Sequence, residues 1–172
     1  MVIGQDPTIR VRPERVKNVL MLDDPNSQLS RWLRGLLGKK IYESAQIYAT
    51  NLVKCTFEKP PADFHPGGLA FIRPYFEQCQ AYLRQELASF QPELVLTLGE
   101  PAHNLFCTLL DNGHTIPPSM KAAFTGQFYR AAFNGFEFDY SPCLHLQTFR
   151  VAETYGEKVA TFKTKLTHKL SP

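Results

Sequence analysis

Glu93-Leu94-Val95-Leu96-Thr97-Leu98-Gly99 is the stretch on which the rest of the chain turns. It is apolar almost without a break, as a central parallel strand covered on both faces must be, and Gly99 stops it. Upstream, Phe76, Cys79, Leu83, Leu87 and Phe90 keep helical spacing from Pro74 onward, and Pro92 marks where that helix has ended. Downstream, Pro101 at a first helical position opens a helix carrying Ala102, Leu105, Phe106 and Leu109, closed by Asn112-Gly113. A buried strand between two helices is the repeating unit of an α/β fold.

Further out the alternation continues. Met1-Val2-Ile3 reads as a buried strand stopped by Gly4-Gln5-Asp6-Pro7, and residues 9 to 25 read as a basic loop ending in the apolar patch Val19 to Leu22. Asn26 can cap a helix whose Leu29, Trp32, Leu33, Leu36 and Leu37 share one face, with Gly38 at its natural stop. Ala45 to Thr50 reads as a strand, followed by a loop stiffened by Pro60-Pro61. Phe128 to Phe133 and Phe136 to Tyr140, joined by Asn134-Gly135, carry a strong hairpin signal, and residues 151 to 169 an amphipathic helix. The expected fold is a three-layer α/β/α sandwich around a central, mainly parallel, four-stranded sheet, with residues 1–172 forming one domain.

The bulk properties agree with that reading. A chain of 172 residues with 44% hydrophobic and 20% charged residues sits near the globular average, which excludes disordered, collagenous and disulfide-scaffold classes. A formal charge of +3 is compatible with a nucleic-acid partner without requiring one. No apolar run approaches the roughly 20 residues that cross a bilayer, and no leader pattern opens the chain, so a cytoplasmic protein without a membrane partner is expected, as a monomer. Cys55, Cys79, Cys107 and Cys143 follow no zinc or CxxC spacing, and the expectation is reduced, packed thiols with neither metal nor cofactor.

Parallel strands bind ligands beyond their carboxyl ends. The segments that follow the four strands are Gly4 to Thr8, Asn51 to Cys55, Gly99-Glu100 and Ser141 to His145, so the sharpest polar residues of the sequence converge at one rim. In this order the segments resemble the uracil-DNA glycosylase superfamily. Gly4-Gln5-Asp6-Pro7 resembles the water-activating GQDP motif of the main uracil-DNA glycosylases, and Thr50-Asn51-Leu52-Val53-Lys54-Cys55 is similar to the TNxVKC segment of the family-four, iron-sulfur-containing branch. Gln91 to Gly99 resembles that branch's PxxIVxLG strand, and Gly126-Gln127 with Tyr140-Ser141-Pro142 its last strand and YHPS loop. The resemblance spans about residues 1 to 150.

The resemblance implies a DNA glycosylase that hydrolyses the N-glycosidic bond of uracil, or of a related deaminated or modified base, flipped out of single- or double-stranded DNA. Such cleavage builds positive charge on the sugar and negative charge on the departing base. Asp6 would position water and offset the sugar cation. Asn51 would read the flipped base through its amide, and backbone amides at Gly4 and Gln5 would hold a base oxygen. Lys54, Lys59, Pro60 and Arg73 would meet phosphates. Leu144 or Leu146 would be the wedge that fills the gap left by the flipped nucleotide.

Several positions depart from the family pattern. The His that precedes Pro in the last loop is replaced by Ser141, which leaves Ser141 or His145 to donate to the base oxygen. Thr8 stands where the main uracil enzymes carry a Tyr against the thymine methyl, which implies a more permissive pocket. No Phe stands between residues 9 and 25 to stack on the base, leaving Met21 or Leu22. Cys55 and Cys79 match two of the four cluster ligands, and two thiolates do not hold a four-iron cluster. The alternative is a retained fold with weak or no catalysis, serving as a nucleic-acid, nucleotide or partner-binding module. No GxSxG elbow supports a general α/β hydrolase.

Overall fold

The computed structural model describes residues 1–6, 19–22, 24–144 and 152–170. Five strands form one sheet in the order β2-β1-β3-β5-β4: β1 Val2–Gly4, β2 Ala49–Asn51, β3 Leu94–Leu98, β4 Tyr129–Phe133 and β5 Phe136–Cys143. The first four neighbours in that order run parallel, and β4 joins β5 antiparallel through Asn134-Gly135. Both turn residues have positive φ, 47° and 81°, as the tight hairpin demands. The sheet therefore holds five strands rather than four, because the hairpin contributes both of its arms.

The helices are α1 Gln28–Leu37, α2 Lys39–Ser44, α3 Gly68–Phe90, α4 Glu100–Cys107, α5 Met120–Ala123 and α6 Ala152–Leu170. Side chains alternate across the sheet and sort the core into two layers. Ile3, Val95 and Tyr140 pack with Ile72, Phe76, Leu83 and Leu87 of α3 and with Ala102, Leu105 and Phe106 of α4. Val2, Leu94, Leu96 and Leu98 pack on the other face with Leu29, Leu33, Leu36 and Leu37 of α1 and with Phe162 and Leu166 of α6. This is the expected three-layer sandwich, with β3 buried along its whole length.

Several boundaries move from the sequence reading: β2 begins at Ala49 rather than Ala45 and α4 ends at Cys107, and three further shifts have identifiable causes. The cap of α1 is Ser27, not Asn26: the Ser27 hydroxyl accepts from the Ser30 N–H at 3.1 Å. Helix α3 begins at Gly68, so Pro74 lies inside it rather than opening it. A proline forfeits one helical hydrogen bond, but the buried face Ile72, Phe76, Cys79, Leu83 and Leu87 secures the helix across it. Strand β5 continues past Tyr140 to Cys143, because Ser141, Pro142 and Cys143 pair in register with Leu96, Thr97 and Leu98.

The outer strands are β2, three residues long, and β4. Arg130 of β4 pairs with Glu137 at 2.9 Å and Asp139 at 3.4 Å, and Lys169 of α6 reaches Asp139 at 2.8 Å. Among the described residues, no helix is long and apolar enough to cross a membrane.

Candidate functional site

Strands β1, β2, β3 and β5 are parallel, so their carboxyl ends form one rim carrying Gly4, Asn51, Leu98-Gly99 and Cys143. Gly4 and Asn51 are partners in register. The pairing runs on beyond the strands, where Leu52 N–H donates to Gly4 O at 2.9 Å and Val53 N–H to Gln5 O at 3.1 Å. The chain thereby holds Gly4, Gln5 and Asn51 side by side, and half-buried Asp6 follows directly.

Position 4 must be glycine because of what lies over it. A Cβ there would sit 2.4 Å from Asn51 Oδ1 and 2.7 Å from Leu20 Cδ2. The amide of Asn51 and the side chain of Leu20 thus close over bare backbone. Asn51 is 4% exposed, and among the described residues its Oδ1 has no hydrogen-bond partner. A buried acceptor without a donor is destabilising by about 1–3 kcal/mol, and more than nine in ten buried polar groups avoid that state.

Leu20 belongs to a single 3₁₀ turn, Val19–Met21, in which Leu20 (φ 57°) and Met21 (φ 51°) both take left-handed backbone. Such conformations are unfavourable for branched or bulky side chains and collect at functional sites. The turn is tied to α1 by the Ser30 hydroxyl, which lies 3.4 Å from Met21 O and 3.1 Å from Leu22 O. Sequence reasoning named Met21 or Leu22 for the place beside the base; the residue seated against Gly4 is Leu20. The apolar patch 19–22 has no period, so nothing in the sequence distinguished one leucine from its neighbours.

Lys54 faces inward. Its ammonium donates to Thr50 Oγ1 at 2.5 Å and meets Glu86 at 2.8 and 2.9 Å, while Thr50 Oγ1 donates to Glu86 at 2.9 Å. The ion pair is mostly covered, with side chains 27% and 21% exposed. Burial and the nearby Glu86 charge push the Tyr48 phenol above its ordinary range. Thr50 and Lys54 bracket Asn51 in the chain, so this cluster anchors its strand to α3 from the opposite face. Glu86 was invisible in the sequence because it falls beside the apolar stripe of α3.

The loop after β2 is closed by rings as well as by its prolines. Phe64 and Phe71 stack at 4.1 Å and 4°, Phe57 meets Phe71 at 5.3 Å, and Lys59 Nζ lies 4.5 Å above Phe64. Pro60 precedes a 3₁₀ turn, Pro61–Asp63, while Lys59 and Arg73 are exposed. Ser141 lies inside β5 at 1% exposure, with its hydroxyl 3.2 Å from Pro142 O. Leu144 is 2% exposed and belongs to the core layer that holds Phe162 and Leu98. Thr8, His145 and Leu146 lie outside the described residues.

Two further groups bear on the chemistry. Among the described residues, no three or more His, Cys, Asp or Glu side chains are grouped to hold a metal ion. Cys55 and Cys79 do meet: burial first, then the neighbouring Cys79 sulfur, pushes the Cys55 thiol up. Deeper, His103 is fully buried between Tyr140 OH at 2.7 Å from Nδ1 and Pro117 O at 2.7 Å from Nε2. A carbonyl only accepts, so Nε2 carries the proton, Tyr140 O–H donates to Nδ1, and Thr97 Oγ1 donates to the Tyr140 oxygen at 2.8 Å. Burial holds His103 below its usual pKa, in keeping with a neutral ring.

Two comparisons with known proteins complete the description. The sequence model of the Uracil DNA glycosylase superfamily matches residues 1–166. No curated protein matches the chain.

Proposed function

Because the chain belongs to the uracil DNA glycosylase superfamily, we propose that it is a DNA glycosylase that removes uracil, or a related deaminated or modified base, from a nucleotide flipped out of DNA. The observation that carries this reading is the orphaned Oδ1 of Asn51, buried against bare Gly4 at the carboxyl rim of the sheet. A pyrimidine ring N–H is a donor of the kind that oxygen accepts from, and none of the described residues supplies one.

The residues divide the work by chemistry. Asp6 holds the attacking water and offsets the charge that grows on the sugar as the bond breaks. Asn51 reads the base edge, and Leu20 lies against it where an aromatic ring would stack more strongly. The donor to the base oxygen is His145, since the Ser141 hydroxyl is turned to Pro142 O within β5. The wedge is Leu146, since Leu144 is packed in the core. Lys59, Pro60 and Arg73 meet phosphates from the loop and α3, and Lys54 contributes only if it leaves Glu86. Thr8 leaves room for a 5-methyl group, so the pocket accepts more than uracil.

The decisive experiment is a panel of oligonucleotides carrying uracil, thymine opposite guanine, or hypoxanthine, assayed for abasic sites with wild type, Asp6→Asn and Asn51→Leu. Release of at least one base that both substitutions abolish supports the reading; strict selectivity for uracil removes the permissive pocket. One observation favours a second reading, a base-binding module without hydrolysis: the hydroxyl at the motif-histidine position is buried and occupied by the Pro142 carbonyl. Binding of uracil-containing DNA that depends on Asn51, with no base released by the wild type, would select it.

A further inference from the structure

The chain leaving β2 is fastened to α3 at two points, and the second is sulfur. The Lys54 N–H donates to Cys79 Sγ at 3.5 Å. The next residue is Cys55, and Cys79 is the sulfur that neighbours it. That contact seats the Cys79 sulfur against the backbone one residue before Cys55, on the stretch of chain that a Cys55–Cys79 disulfide would fasten to α3. Cys55 is exposed and Cys79 is buried, and neither is bonded to another cysteine. Cys107 stands instead beside His103, and Cys143 is enclosed in β5.

We propose that Cys55 and Cys79 form a dithiol site that reacts with small disulfides, closing a covalent link between the end of β2 and α3. Exposed Cys55 is the entry point. Its thiolate attacks one sulfur of the small disulfide, breaking that S–S bond, releasing one thiolate and leaving a mixed disulfide on Cys55. Cys79 then attacks Cys55 Sγ and expels the second thiolate. The two protons lost by the cysteines go to the two released thiols, and the two electrons reduce the small disulfide, so the exchange balances. The Lys54 N–H holds the Cys79 sulfur beside the end of β2, where the second step needs it. Two sulfurs alone do not complete a tetrahedral cage, and among the described residues no metal-holding group includes them.

The test is independent of glycosylase activity. Purified protein is incubated with oxidised glutathione, denatured, alkylated and mapped by peptide mass spectrometry. In the wild type the expected result is loss of two alkylatable thiols and a linked peptide pair joining Cys55 to Cys79, with no glutathione retained. Cys79→Ala is expected to keep one glutathione on Cys55, the stalled first step, and Cys55→Ser to leave Cys79 fully alkylatable. Four alkylatable thiols in the treated wild type, or stable glutathione on its Cys55 without the cross-link, would overturn the proposal. The wild-type map alone decides between these outcomes should Cys79→Ala fold poorly.

Discussion

The Thr97-Tyr140-His103-Pro117 chain and the Asn51 amide are both polar groups taken out of water by the same sheet, and they end in opposite states. In the chain every donor has an acceptor, the imidazole tautomer is dictated by a carbonyl, and β3, β5 and α4 are stitched together with the segment beyond α4. At Asn51 an oxygen of similar burial faces Gly4 and Leu20 with none of the described residues donating to it. A complete buried network serves the fold, and an incomplete one held open by surrounding structure serves a ligand. On the proposed reading, the incomplete partner set marks the place of the base.

The sharpest way to break the contrast is Asn51→Leu, which is close in volume and removes the orphan. Base excision is expected to fall by about 10²–10³-fold, while thermal unfolding shows stability unchanged or raised by about 1 kcal/mol. A variant less stable than wild type would mean that the amide is structural after all. Tyr140→Phe is expected to do the reverse. It leaves His103 Nδ1 with only the weaker Cys107 thiol at 3.5 Å and the Thr97 hydroxyl without its acceptor, lowering stability by about 1–3 kcal/mol in denaturant titration with turnover little changed.

A smaller effect is expected at Glu86→Gln, which leaves the Lys54 ammonium without its counter-charge behind the strand that carries Asn51. Stability should drop by about 1 kcal/mol, with a rise in KM larger than the fall in kcat if the cluster only holds that strand in place. The smallest is a slope with pH. His103 in the folded chain has a pKa below its ordinary value, so between the two values the unfolded chain binds a proton that the folded chain refuses. Its contribution is fully present above about pH 6.5 and is lost as pH falls through the folded pKa. Melting temperatures of wild type and His103→Gln should therefore converge on acidification, and parallel curves would show that the ring titrates normally.

Much of the architecture was legible because it is written in burial. The unbroken run 94–98, the stripe 76–87 and Asn134-Gly135 each have one strong local solution, and each was found at or near its place. Boundaries were less legible where a long-range partner decides them: β5 runs on to Cys143 because β3 offers a register, and α3 starts before Pro74 because its apolar face outweighs one missing hydrogen bond. At the rim, Gly4 beside Asn51 followed from parallel strand ends, as the sequence order of the segments implied. Leu20 and Glu86 did not follow from anything local. One reaches the rim by an unfavourable backbone turn and the other by crossing from a helix to a strand, and neither event leaves a periodic trace.

The two margins of the sheet carry a consequence for the chain at high concentration. An outer strand is a template on which a second polypeptide can add its own, the first step of aggregation. Here one margin, β2, is three residues long, too short to seed a ladder, and the other, β4, carries Arg130, paired with Glu137 and Asp139 of neighbouring β5, where Lys169 also reaches Asp139. Strand addition from another copy would have to begin on a stub or beside a charge network, so the folded sheet resists growing sideways into fibrils.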